Sequence, residues 1–161
     1  MSKNKEIKTN AMRILDRMRI SYQTMTYECE EFVDALKIAD QLGLPYGKVY
    51  KTLVTLGSSK NYFVFVIPID RELDLKKAAR SVGEKSVAMI HVKEIQSVTG
   101  YIRGGCTSIG MKKQYVTRID ESAKNLETMV VSGGKLGVQI ELKPEDLCRA
   151  ANAEYADLLT A

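Results

Sequence analysis

Val49-Tyr50-Lys51-Thr52-Leu53-Val54-Thr55-Leu56 is an apolar, β-branched run with one lysine set into it. A second run, Tyr62 to Ile69, follows the turn-like Gly57-Ser58-Ser59-Lys60-Asn61. Together they predict a hairpin at the centre of a sheet. A cation near the start of a core strand is costly unless it has a partner or opens onto a pocket. Lys51 could instead run its stem along an edge strand and release its ammonium to water. Composition leaves both readings open, so the rest of the chain must say what surrounds it.

Upstream, Ile7, Ala11, Ile14, Leu15 and Met18 recur at helical spacing and predict an amphipathic first helix. The alternating Tyr22-Gln23-Thr24-Met25-Thr26-Tyr27 predicts a strand. A second helix is expected over Phe32 to Leu42, stopped by Gly43 and Pro45. Downstream, Asp74 is placed to cap a short helix through Arg80, with Gly83 beyond its end. Ser86 to Met89 reads as a brief strand and His91 to Val98 as a short helix ending at Gly100. Gly100 to Gly110 holds four glycines and little hydrophobic pattern, as expected of a loop whose backbone comes close to something else. Val116 to Ile119 and Glu127 to Val131 predict strands. Ser132-Gly133-Gly134-Lys135 predicts a turn, from which Gly137 to Leu142 returns as a hairpin partner. Pro144 suits the first turn of a final helix through Ala151.

This alternation gives a mixed α/β (α+β) chain with a largely antiparallel or mixed sheet; its helices are too few for a doubly wound parallel sheet. At 161 residues, with 45% apolar and 27% charged, a single compact domain over residues 1–161 is expected. The longest apolar stretch, Tyr62 to Ile69, is far short of a membrane span, and the polar N-terminus carries no apolar signal core. A cytoplasmic protein is the expectation. Cys29, Cys106 and Cys148 lie far apart and His91 is the single histidine, which argues against a structural zinc site or a disulfide framework. The net charge of +4 suits a nucleic-acid partner without requiring one.

Familiar catalytic signatures are absent: there is no G-x-x-x-x-G-K-[ST] loop, no G-x-S-x-G elbow and no H-E-x-x-H pair. His91, opening a short helix, reads better as a capping or surface residue than as a catalytic base. The loop Gly100 to Gly110 either offers backbone N–H groups to a carbonyl or phosphate oxygen or is a plain turn at a sheet edge. Ser132 to Lys135 reads as a turn in preference to a ligand rim. Cys106 has no basic neighbour in sequence and reads as a small, half-buried residue in preference to a nucleophile.

Taken together, these stretches resemble the YbaK/EbsC family, free-standing Cys-tRNA(Pro) deacylases related to the editing domain of bacterial prolyl-tRNA synthetases. Val49-Tyr50-Lys51-Thr52-Leu53-Val54 is similar to the family signature. The resemblance continues through Thr26-Tyr27-Glu28, Leu73 to Ala79, Ser97-Val98-Thr99-Gly100-Tyr101 and Gly104-Gly105. It closes with Val131-Ser132-Gly133-Gly134-Lys135, Ile140-Glu141-Leu142 and Asp146-Leu147. It implies one compact domain with a mixed, barrel-like β-sheet surrounded by helices. It implies clearance of mischarged tRNA without metal or cofactor, acting on the 3′ end of aminoacyl-tRNA and alongside prolyl-tRNA synthetase. By the same resemblance, Lys51 holds that 3′ end as the key active-site residue, Tyr27 and Phe32 border the pocket, and Gly104-Gly105 present backbone to the aminoacyl ester. The substrate's own thiol then attacks its ester, so no protein nucleophile is needed.

Two positions depart from the family pattern. Ser108 stands where the loop usually carries proline, and Gln139 replaces the aspartate of S-G-G-K-x-G-x-D-I-E-L. An aspartate there could hold the substrate's α-amino group by charge, whereas glutamine offers only a hydrogen bond. Glu141 would compensate if it pointed into the same pocket. These departures leave two alternatives beside the lead: a deacylase of different amino-acid specificity, or a non-catalytic module that binds tRNA or a synthetase.

Overall fold

The hairpin around Lys51 is the middle of the larger of two sheets in the computed structural model, which describes residues 8–28 and 34–161. β2 (Tyr50–Gly57) and β3 (Tyr62–Pro68) pair antiparallel, with Lys51 opposite Ile67 and Val54 opposite Val64. β4 (Val87–Met89) joins the other side of β2, antiparallel, through Thr55, Leu56 and Gly57 alone. β5 (Val116–Asp120) runs parallel to β3, and β8 (Ala153–Ala156) runs parallel to β5. The second sheet has the order β1 (Gln23–Thr26), β7 (Val138–Leu142), β6 (Met129–Lys135), all antiparallel. A parallel bridge from Val49 to Val130 links the two. The expected mixed, barrel-like sheet thus takes the form of two sheets meeting at a corner, without a closed ring of strands among the described residues.

Local chemistry explains the helix ends. α1 (Asn10–Arg17) begins at Thr9, whose hydroxyl accepts the Met12 N–H. α2 (Ala35–Leu42) begins at Asp34, whose carboxylate accepts the Leu36 N–H, and stops at Gly43 in the left-handed region. α3 (Leu75–Ser81) is capped by Asp74 as predicted, through the N–H groups of Lys76 and Lys77. α4 (Ile95–Thr99) follows a 3-10 turn at Val92–Glu94 and ends at left-handed Gly100. α5 (Pro144–Ala151) opens on Pro144.

β3 is apolar without alternation because both of its faces are covered. Phe63, Phe65 and Ile67 pack with Ala78 and Ala79 of α3 and with Leu158. Val66 joins the main core with Ala11, Met12 and Leu15 of α1, Val138 and Ile140 of β7, and Leu147 of α5. A third cluster, with Ala39, Val49, Ile69 and Val130, seats α2 on the corner where the sheets meet.

One expectation is corrected here. Ser132-Gly133-Gly134-Lys135 is not a turn: β6 runs on to Lys135 through an irregularity in register, and the reversal falls at Leu136-Gly137. The glycine pair serves a bulge inside the strand. β8, unannounced by the sequence pattern, is added at the sheet edge. The start of the expected second helix at Phe32 and Val33, and Ile7 of the first, lie outside the described residues. No helix among the described residues is long and apolar enough to cross a membrane.

Candidate active site

β3 lines one side of β2 along its whole length. On the other side, the chain touches β6 at Val49 and β4 from Thr55 onward, and the Ile90 N–H donates to the Val54 carbonyl at 3.3 Å. On that side no strand among the described residues borders Tyr50 to Leu53. A cavity of about 590 Å³ opens along this stretch, a size suited to a small-molecule site. One wall is β2 itself, from Val49 to Val54. The start of α2 forms a second, with Asp34 at its rim, and Met89, Ile90, Val92 and Ile95 form an apolar third. Arg103, Gly104 and Cys106 close one end, and Ser132 and Gln139 reach in from the smaller sheet.

Lys51 stands on the β2 wall, half-buried, with its ammonium 3.4 Å from the Ile69 carbonyl oxygen. Among the described residues it forms no ion pair. Of the two readings open for this cation, the structure gives the pocket. The strand is not a plain outer edge; it borders a gap between two sheets, and the gap is where the ammonium is accommodated.

Gly104 lines the cavity with φ at +86°, a conformation that favours glycine. Gly105 is buried against the β6–β7 reversal: a Cβ there would meet backbone atoms of Lys135 and Leu136 at 3.1 Å. The backbone approach expected of this loop is therefore to β6. The loop is also tied across its own length, since the Tyr101 hydroxyl donates to the Ile109 carbonyl at 2.5 Å and the Lys112 N–H to the Thr99 carbonyl at 3.0 Å. Cys106 lines the cavity, and burial pushes its thiol up to about 11. At neutral pH it is a thiol and not a thiolate.

Ser132 of β6 and Gln139 of β7 are paired across their ladder, and both line the cavity. The Ser132 hydroxyl accepts the Gly134 N–H at 3.1 Å. Glu141 lies on the same face of β7 as Gln139, two residues on. It does not reach the cavity: Lys48 Nζ approaches it at 2.6 Å and the Thr128 hydroxyl donates to it at 2.5 Å. Lys48 first, then Thr128, hold its carboxyl below the ordinary glutamate range. The compensation suggested for Glu141 is therefore not available from this position.

Of the residues expected at the site, Lys51, Gly104 and Gln139 share the cavity, and Gly105 braces it from behind. Tyr27 lies outside the lining, its N–H donating to the Gly137 carbonyl at 3.0 Å beside the β6–β7 reversal. Ser108, buried at 8% exposure, borders a separate recess of about 180 Å³ with Lys113 and Tyr115. Phe32 lies outside the described residues. His91 is exposed and off the cavity, its N–H donating to Glu94 Oε1, as a capping residue would. Asp34, Thr52 and Arg103 line the cavity without having been singled out. Thr52 is adjacent to Lys51, and Asp34, placed by the sequence inside a helix expected from Phe32, is the cap residue of α2. Among the described residues no cluster of His, Cys, Asp or Glu could hold a metal ion.

Comparison with known proteins bears on this geometry. The sequence profile of the aminoacyl-tRNA editing domain matches residues 29–150. A protein of Enterococcus faecalis with the provisional name Cys-tRNA(Pro)/Cys-tRNA(Cys) deacylase EbsC is 43% identical over 99% of both chains. The proline–tRNA ligase of Fervidobacterium nodosum is 32% identical over 62% of this chain, a region amounting to 17% of the ligase. A solved structure described provisionally as a trans-editing enzyme for prolyl-tRNA synthetase superposes with a TM-score of 0.80, covering 95% of this chain and 99% of its own. At 22% identity that likeness speaks for the fold.

Proposed function

Because the chain belongs to the aminoacyl-tRNA editing domain family, we propose that it is a free-standing, single-domain aminoacyl-tRNA deacylase, acting in the cytoplasm on Cys-tRNA(Pro). The observation that carries the reading is one cavity shared by Lys51, Gly104 and Gln139, on the unbordered stretch of β2. Lys51 is the positioning charge. Its ammonium holds the phosphate or ribose of the terminal nucleotide, and Arg103, at the same cavity, adds a second cation. The apolar wall of Met89, Ile90, Val92 and Ile95 excludes water on the side facing them.

An aminoacyl ester is already activated, so positioning accounts for much of the required rate. The substrate's cysteinyl sulfur attacks its own ester carbonyl carbon, and the bond from that carbon to the ribose oxygen breaks. The thiol proton ends on the ribose oxygen, leaving a thiolactone and deacylated tRNA. Backbone at Gly104 is the candidate donor for the oxyanion. No protein nucleophile takes part. Prolyl-tRNA synthetase is the partner this reading suggests, since it produces the mischarged tRNA.

The test is release of cysteine from Cys-tRNA(Pro). Lys51→Ala is expected to slow it by about 100-fold or more while the fold is retained. Undiminished release by that variant would remove Lys51 from the mechanism. Ser-tRNA(Pro) should be a poor substrate, because a hydroxyl is a far weaker nucleophile than a thiol. Equal cleavage of the two would sink the thiol-assisted route and favour a deacylase of other specificity.

A further inference from the structure

A cysteinyl ester enters the cavity with a positive charge of its own, the α-ammonium. Among the described lining residues the fixed charges are two cations, Lys51 and Arg103, and a single carboxylate, Asp34. Gln139, which stands where the family pattern has an acid, is 5% exposed and lines the cavity. Its carboxamide forms no hydrogen bond among the described residues and borders the cavity, so it is open to a ligand there. Being neutral, it can accept a hydrogen bond from an ammonium but offers it no attraction of charge. Glu141, on the same strand face, is held away by Lys48 and Thr128.

We propose that Asp34 supplies the charge that holds the substrate's α-ammonium, with the Gln139 carboxamide completing the grip. The inference rests on the deacylase reading for its substrate. Asp34 is exposed at the cavity rim and spends one carboxylate oxygen on the Leu36 N–H at 2.9 Å. The other oxygen is available to a ligand. The proposed charge contact thus lies at the N-terminal end of α2, on the same cavity as Gln139.

Asp34→Asn separates this role from capping, because asparagine caps a helix as well as aspartate does. Two substrates are compared, Cys-tRNA(Pro) and its N-acetyl form, which keeps the thiol and lacks the ammonium. Asp34→Asn should lower kcat/KM about tenfold or more on the free-amine substrate and leave the acetylated one unchanged. Asp34→Asn combined with Gln139→Asp should regain most of the loss. An equal fall on both substrates, or none on either, overturns the proposal. In parallel, binding of the amide-linked analogue, 3′-cysteinylamino-3′-deoxyadenosine, and its N-acetyl form is measured by calorimetry. If the wild-type protein cleaves neither tRNA, the deacylase reading fails. Calorimetry still decides Asp34, by whether its loss weakens the free-amine analogue alone.

Discussion

Two thiols meet in the proposed reaction, one carried in by the substrate and one on Cys106. Desolvation holds the Cys106 thiol near 11, so its thiolate is scarce at neutral pH. Cys106→Ala is therefore expected to keep deacylation within about threefold of wild type, the remainder being altered shape at the cavity end. Iodoacetamide should label Cys106 slowly at neutral pH and faster as the pH climbs toward its raised value. A loss comparable to that of Lys51→Ala would assign the attack to the protein thiol instead. At this scale the sequence was most legible where a residue looked wrong for its setting. Lys51 stood out as a cation in an apolar strand, and Gln139 as a neutral residue in an acid's place. Asp34 and Arg103 did not, because a helix cap and a loop arginine have the same local signature whether they face water or a cavity.

Secondary elements place those residues, and two ties between elements can be measured. The Lys48–Glu141 pair joins the turn before β2 to β7, next to the Val49–Val130 bridge. In the folded protein the Glu141 carboxyl titrates below its ordinary 4.5. The stabilisation is therefore fully present above that value and is lost as pH falls through the lower, folded one. Glu141→Gln should cost about 1 kcal/mol in urea unfolding at neutral pH, and the difference from wild type should close in acid. A gap that persists unchanged at about pH 2 would mean the loss is one of packing, not charge. The second tie is Gly105 against Lys135 and Leu136. Gly105→Ala forces a Cβ against backbone and should cost about 1–3 kcal/mol, with a fall in deacylation as Gly104 shifts. Gly47→Ala, where nothing lies within 4 Å, should change stability by less than about 0.5 kcal/mol. Equal effects at the two glycines would discard the close-approach argument. Caps and hairpins such as Asp74, Pro144 and the β2–β3 pair were readable because their signals are local. The bulge in β6 was misread as a turn because Gly-Gly serves both, and the choice depends on what β7 pairs with.

Across the whole molecule, the cavity and its supports do not coincide. Every described lining residue falls between Asp34 and Gln139, inside the segment that matches the editing-domain profile. The cores beneath it draw on residues outside that segment. Ala11, Met12 and Leu15 of α1 fill the main core, and Leu158 and Leu159 pack with Phe63, Phe65 and Ile67 behind β2 and β3. Asp120, 2% exposed, fixes the end of the chain by accepting the Leu158 N–H at 3.0 Å. β8 escaped the sequence reading for the same reason that it matters. Ala153-Glu154-Tyr155-Ala156 has little β-branched character, and its strand form comes from parallel pairing with β5, a contact distant in sequence. A chain ending at Asn152 would keep the cavity lining while uncovering the far face of β3 and the edge of β5. It is expected to unfold at clearly lower urea than the full chain and to lose deacylation in step with folding. Leu158→Ala, a smaller version of that loss, should cost about 2–5 kcal/mol while leaving KM unchanged in the folded fraction. An unfolding midpoint for the shortened chain equal to that of the full one would show that the site stands without β8 and the buried leucines after it.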